Sequence, residues 1–113
     1  MTSEPTQNAV RALNSAGIQP DIIIGRSEVP IDNPRKEKIS VFCNVQKEDV
    51  ISAPDVTSIY EVPVNFEDEH LSERILQKFG LEQKHIDLKE WREFVGTIHS
   101  AKKPVMIGIV GKY

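Results

Sequence analysis

Three consecutive β-branched residues, Ile22, Ile23 and Ile24, stand between Asp21 and Gly25. A run of this kind suits a strand buried on both faces, as in a parallel sheet covered by helices. A chain with such a strand must supply helices to cover it, and the flanking segments read as helices. Before it, PTQNAVRALNSAG places Val10 and Leu13 on one face with Ala9 and Ala12 beside them. Pro5 and Thr6 suit the helix start and Gly17 the stop. After it, Asn33-Pro34 opens a second helix, in which Ile39, Phe42 and Cys43 are expected to face inward.

Farther along, Val50-Ile51-Ser52-Ala53 reads as a short second strand, followed by the loop Pro54-Asp55-Val56. SIYEVPV is ambiguous, because Pro63 demotes a strand there. NFEDEHLSERILQKFG predicts one helix, with Leu71, Ile75, Leu76 and Phe79 along a face and Gly80 at its end. Asp87 and Glu90 form a capping-box pattern before a helix expected to bury Leu88, Trp91, Phe94, Val95 and Ile98. Pro104-Val105-Met106-Ile107-Gly108-Ile109-Val110 reads as a last apolar strand. Helices alternating with buried strands give an α/β domain. Two or three strands make a poor sheet, and a crossover would be due where the sequence reaches Gly111-Lys112-Tyr113. The pattern predicts a piece of a larger α/β protein.

Composition narrows the classes. Fourteen Lys and Arg against 17 Asp and Glu, a net charge of −3, lack the basic surplus of a dedicated nucleic-acid binder. No apolar run approaches the ~18 residues of a membrane span. MTSEPTQNAV lacks a basic-then-apolar signal pattern, so a cytoplasmic chain is expected. The one cysteine, Cys43, excludes an internal disulfide and a cysteine-rich zinc site. Its setting, VFC, suits a core side chain.

Most local motifs read as ordinary structure. Gly108-Ile-Val-Gly-Lys-Tyr superficially resembles a phosphate loop, but the spacing is wrong and Tyr113 stands where magnesium needs a hydroxyl. Glu67-x-x-His70 would put two ligands on one helical face, yet a carboxylate-bridged site needs a second such motif. His85 and His99 have no ligand-like spacing. No catalytic or metal-ligating set emerges. Two features suit a phosphate-bearing ligand: the helix start at Pro5-Thr6-Gln7, and the cations Arg35, Lys36 and Lys38. Arg26 and the Asp55 loop lie at strand ends, the edge where open α/β sheets bind ligands.

In this order, the motifs PTQ, GIQPDI, RS, KEKI, FCNV, SxYxVP and the ending PVMIGIVGKY closely resemble consecutive segments of the CTP synthase family. The resemblance is weakest from about Asn65 to Lys103. It implies a P-loop-type, Rossmann-like three-layer α/β fold with a mainly parallel sheet, incomplete in this chain. Residues 1–81 would be the C-terminal part of the amidoligase domain, 82–103 an interdomain linker with a helix, and 104–113 the first strand of the glutaminase domain. The family converts UTP to CTP with ATP and Mg2+, using ammonia from glutamine, in a homotetramer that CTP inhibits.

Position by position, the resemblance puts Pro5, Thr6, Gln7 and Lys38 against the UTP or CTP triphosphate, and Arg26, Asp55 and Val56 on the ATP side. The phosphate loop, the magnesium carboxylates and the glutaminase triad have no counterpart, so this chain alone is not expected to make CTP. The family usually reads Lys-Thr-Lys before Pro-Thr-Gln, where this sequence has Thr2, Ser3 and Glu4. Charge-assisted phosphate contacts are worth ~1.5–3 kcal/mol each, so that exchange weakens a triphosphate site. The alternative is a stand-alone, non-catalytic module that binds a nucleotide or associates with synthetase subunits.

Overall fold

The computed structural model describes residues 3–85 and 87–112. Thr2, one of the departures noted above, and Tyr113 lie outside them. Helix α1 spans Glu4–Ser15, strand β1 Ile23–Ser27, helix α2 Asn33–Cys43 and strand β2 Val50–Pro54. Helices α3 (Val62–Asp68), α4 (Leu71–Lys78) and α5 (Lys89–Ser100) follow. Strands β1 and β2 pair in parallel, with Ile23 opposite Val50 and Ser27 opposite Pro54. The unit β1–α2–β2 is thus a parallel pair with a helical crossover, the mixed α/β arrangement expected of a partial Rossmann-like fold.

The core forms where α1, α2 and the two strands meet. Val10, Ile23, Ile31, Ile39, Cys43 and Val50 pack as one buried cluster, with Val45 against it. Helix α1 ends as its sequence demands: Gly17, at φ +81°, lets its own N–H reach Asn14 O and lets Ile18 N reach Leu13 O. Helix α2 starts on Asp32, whose Oδ1 accepts from Arg35 N at 3.0 Å, and carries Pro34 in its first turn. Gly25 is a close approach, since a Cβ there would lie 2.3 Å from Ile31 Cδ1.

Several expectations are corrected. Strand β1 is covered on one face only: Ile23 and Gly25 are buried, while Ile24 is 47% exposed. In α2, Ile39 and Cys43 are buried but Phe42 is 58% exposed. Ile39 and Cys43, four apart, set the inward stripe, and Phe42 sits about 100° round the helix from Cys43. The ambiguous segment SIYEVPV is helical, one turn over Ile59–Glu61 and then α3 over Val62–Asp68, and Pro63 occupies the first turn of α3, where its missing N–H costs nothing.

The single helix expected from Asn65 to Gly80 is instead α3 and α4, broken at Glu69 and His70, with His70 at φ +59°. Phe79 is exposed and no residue of α4 is buried. None of α5 is buried either, and only Leu88, Val95 and Ile98 of its expected core face are half-buried. Residues 101–112 form no strand and are exposed. A strand is stable only with a partner for its ladder, and no described residue supplies one.

Candidate functional site

Strand β1 ends at Arg26-Ser27 and β2 at Pro54, so both carboxyl ends open on the same edge. The ladder continues one step into the loop, Asp55 N donating to Ser27 O at 2.9 Å. That bond fixes Asp55 beside Arg26, which donates from Nη2 to Asp55 Oδ1 at 2.7 Å. From Nη1, Arg26 also donates to Ala53 O at 3.1 Å and Pro54 O at 3.2 Å. The guanidinium is therefore spread across the end of the sheet, and Val56 follows it half-buried. Arg26 and Asp55 remain well exposed. With its charge matched by Asp55, Arg26 suits reading a base or ribose edge better than neutralising a triphosphate.

The start of α1 is more self-contained than its sequence suggested. Pro5 has no N–H to offer, and Gln7 N donates to Ser3 O at 3.1 Å. The Gln7 side chain is buried and donates from Nε2 to Ser3 Oγ at 2.8 Å. Glu4, in the first turn, already sets a negative charge against the positive end of the helix. Thr6 is half-buried beside it.

The three cations of α2 separate by role. Arg35 pairs with Asp32, and Lys36 pairs with Glu69 of the α3–α4 break. Lys38 is exposed, and no hydrogen bond or ion pair among the described residues joins it to Thr6 or Gln7. Helices α1 and α2 do pack against each other. Thus Arg26 and Asp55 are brought together, whereas the two halves of the expected triphosphate site are not bonded to one another.

Two polar clusters escaped the sequence reading. Asp49, 1% exposed at the entry to β2, accepts from Arg74 Nε on Oδ1 at 2.8 Å and forms an ion pair through Oδ2 with Lys78 Nζ at 2.8 Å. Burial pushes its carboxyl up, but Arg74 and Lys78 outweigh burial and hold it below the usual carboxylate range. Arg74 also donates to Gln46 Oε1 at 2.6 Å and Gln77 Oε1 at 2.9 Å. The spacing of Arg74 and Lys78, four apart on one helix, was the available signal. In the second cluster Glu69, paired with Lys36, accepts Ser52 N at 3.0 Å.

An open cleft of about 480 Å³ lies beside these clusters, lined by Asn33, Lys36, Lys47, Glu73 and Arg74 among others. Its two signs of charge are mixed, which favours no single ionic ligand. The Glu67–His70 pair does not share a helical face, because α3 ends at Asp68; Glu67 instead accepts from the Ser72 hydroxyl. Among the described residues no group of three or more His, Cys, Asp or Glu is placed to hold a metal ion. Cys43 is buried, and burial pushes its thiol up. No helix of the described residues is long and apolar enough to cross a membrane.

Residues 1–81 match the family model described as CTP synthase N-terminus. Over all 113 residues the chain is 48% identical to the CTP synthase of Methanocaldococcus jannaschii and 45% identical to that of Nostoc punctiforme. It is 48% identical over 111 residues to the CTP synthase of Thermococcus gammatolerans. Alignment covers 98–100% of this chain but 21% of each relative, so the chain spans about a fifth of the length of the curated relatives it matches.

Proposed function

Because the chain belongs to the CTP synthase family, we propose that it supplies one segment of that enzyme's nucleotide sites and does not catalyse by itself. In this reading residues 1–81 are the C-terminal part of the amidoligase domain, 82–103 the linker to the glutaminase domain, and 104–113 that domain's first strand. The parent reaction is the ATP-driven amination of UTP to CTP, in a cytoplasmic homotetramer. Pro5, Thr6, Gln7 and Lys38 then face the UTP or CTP triphosphate, while Arg26, Asp55 and Val56 face ATP.

The observation that carries this reading is the Arg26–Asp55 pair, 2.7 Å apart at the carboxyl end of the parallel strands. Planar donors and a carboxylate at that edge suit a purine and its ribose. In this reading the Mg2+ ligands and the phosphate chemistry belong to other parts of the parent enzyme.

An amide-resolved NMR titration of the chain tests the assignment. ATP is expected to move Arg26, Asp55 and Val56, and UTP to move Thr6, Gln7 and Lys38. Glu4→Lys is expected to tighten UTP about tenfold, since one charge-assisted phosphate contact replaces one repulsion. Dispersed spectra that neither nucleotide shifts, with or without Glu4→Lys, would refute nucleotide binding by this chain. They would leave the subunit-interaction reading, which the acidic first turn of α1 favours.

A further inference from the structure

One carboxylate joins three elements of this chain. Glu69, at the break between α3 and α4, accepts Ser52 N from the middle of β2 at 3.0 Å, and the same Oε2 meets Lys36 Nζ of α2. The side chains of Lys36 and Glu69 are only 17% and 26% exposed, so salt and water screen this pair far less than the open Arg35–Asp32 pair beside it. Ser52 is itself buried and accepts Ile31 N on Oγ at 2.9 Å. Ile31 leads through the cap residue Asp32 into α2, where Lys36 N donates to Asp32 O at 2.9 Å. The bonds close a ring: Ser52 to Ile31, Asp32 to Lys36, and Lys36 through Glu69 back to Ser52.

The ring lies between residues assigned to the two nucleotides. At about 100° per residue, Lys36 stands about 60° from the buried Ile39, while Lys38 lies about 200° round from Lys36. Lys36 is thus held on the side of α2 that faces the body, and Lys38 is exposed on the other. Asp55 and Val56 follow Ser52 where β2 runs into its loop. Holding Lys36 against β2 therefore fixes the turn of α2 about its axis, and with it where Lys38 stands relative to Asp55 and Val56.

We infer that Glu69 is a positioning residue for the UTP side: through Lys36 it sets the rotation of α2 and so aims Lys38 at the triphosphate. Its role rests on the nucleotide assignments proposed for this chain and deepens them. Glu69 itself touches no nucleotide. The sign of its effect separates position from charge. By charge alone, neutralising Glu69 removes a repulsion and releases a cation, and the anionic UTP would bind more tightly. By position, UTP binds less tightly, because a freed α2 no longer presents Lys38 in one place.

NMR titration of the chain with UTP and with ATP, in Glu69→Gln and in Lys36→Met, is the test. Glu69→Gln keeps an oxygen for Ser52 N and gives up the charge that holds Lys36. It is expected to weaken UTP at least about fivefold, with a smaller UTP shift at Lys38, and to leave ATP at Arg26, Asp55 and Val56 within about twofold. Lys36→Met, which leaves Ser52 N its carboxylate, is expected to weaken UTP at least as much, and adding Glu69→Gln to it to cost nothing further. Lys36→Met also carries the comparison should Glu69→Gln not fold. UTP bound equally well or better by Glu69→Gln would overturn the inference. So would equal weakening of UTP and ATP, the mark of a general loosening, or losses that add in the double variant. Absence of any UTP shift in the unaltered chain and in Glu4→Lys is a different result, which removes the nucleotide assignment and this role together.

Discussion

Among the described residues, Asp49 is a buried carboxylate held between two cations. It pairs with one cation at each oxygen and ties α4 to the start of β2. Asp49→Asn leaves Arg74 and Lys78 facing a neutral group and is expected to cost about 2 kcal/mol. That is below the ~3–5 of a fully buried pair, because both cations keep some water. The carboxyl titrates at ~3.9 when unfolded and lower when folded. Its stabilisation is therefore complete above about pH 4 and is lost as pH falls through the folded value. Urea unfolding from pH 7 to pH 2 is expected to show that decline and to show less of it in Asp49→Asn; parallel declines would refute the assignment. Sequence offered one sign of it, the spacing of Arg74 and Lys78 on one helix face, but not their partner. Glu48 and Asp49 are adjacent acids just ahead of β2, and the placement of α4 over β2 is what gives Asp49 its two cations. The Arg26–Asp55 pair was legible, because both residues sit at strand ends whose direction the sequence already indicated.

Elements were readable where a local rule decided them and misread where a neighbour did. Helices α1 and α2 follow from Pro at the start, Gly17 at the end and one apolar stripe. The break between α3 and α4 has no such mark, since Asn65–Phe79 contains neither Gly nor Pro. It is imposed from outside, by Glu69 reaching Lys36 and Ser52 N while His70 takes up a left-handed conformation. The turn before α3 was legible but overlooked: Ser58 and Glu61 form a capping box, and Glu61 also accepts the Thr57 hydroxyl, the main reason its carboxyl lies below its usual value. Helix α5 is held by few contacts. Trp91 Nε1 donates to Tyr60 O at 2.8 Å, Arg92 pairs with Asp68, and Phe94 packs edge to face with both Tyr60 and Trp91. Trp91→Ala removes two of these at once. Amides 89–100 are then expected to exchange at least about tenfold faster, a loss of about 1.4 kcal/mol, with β1 and β2 unchanged. Equal acceleration throughout would show that α5 folds as one unit with the sheet.

At the scale of the whole molecule, burial is confined to a small part of the chain. A compact monomer of this mass exposes about 6,300 Å² and has a radius of gyration of about 13 Å. This one exposes 8842 Å², with a radius of 18.0 Å and extents of 49 × 41 × 29 Å. The surplus reflects α5, none of whose residues is buried, and residues 101–112, which are exposed throughout. Cooperative stability must then reside in the cluster from Val10 to Val50, since an unfolding transition measures only surface that was hidden to begin with. Ending the chain after Ser100 is expected to leave the urea midpoint and slope within error of the full chain. The apolar segment contributes no area to the transition, however hydrophobic its sequence. Shortening into the body, by starting after Val10, is expected to lower both, because α1 places Val10 in the core and α1 packs on α2. A slope that falls when only residues 101–113 are removed would mean that the segment is buried in the folded monomer, and the division into a folded body and an exposed arm would fail.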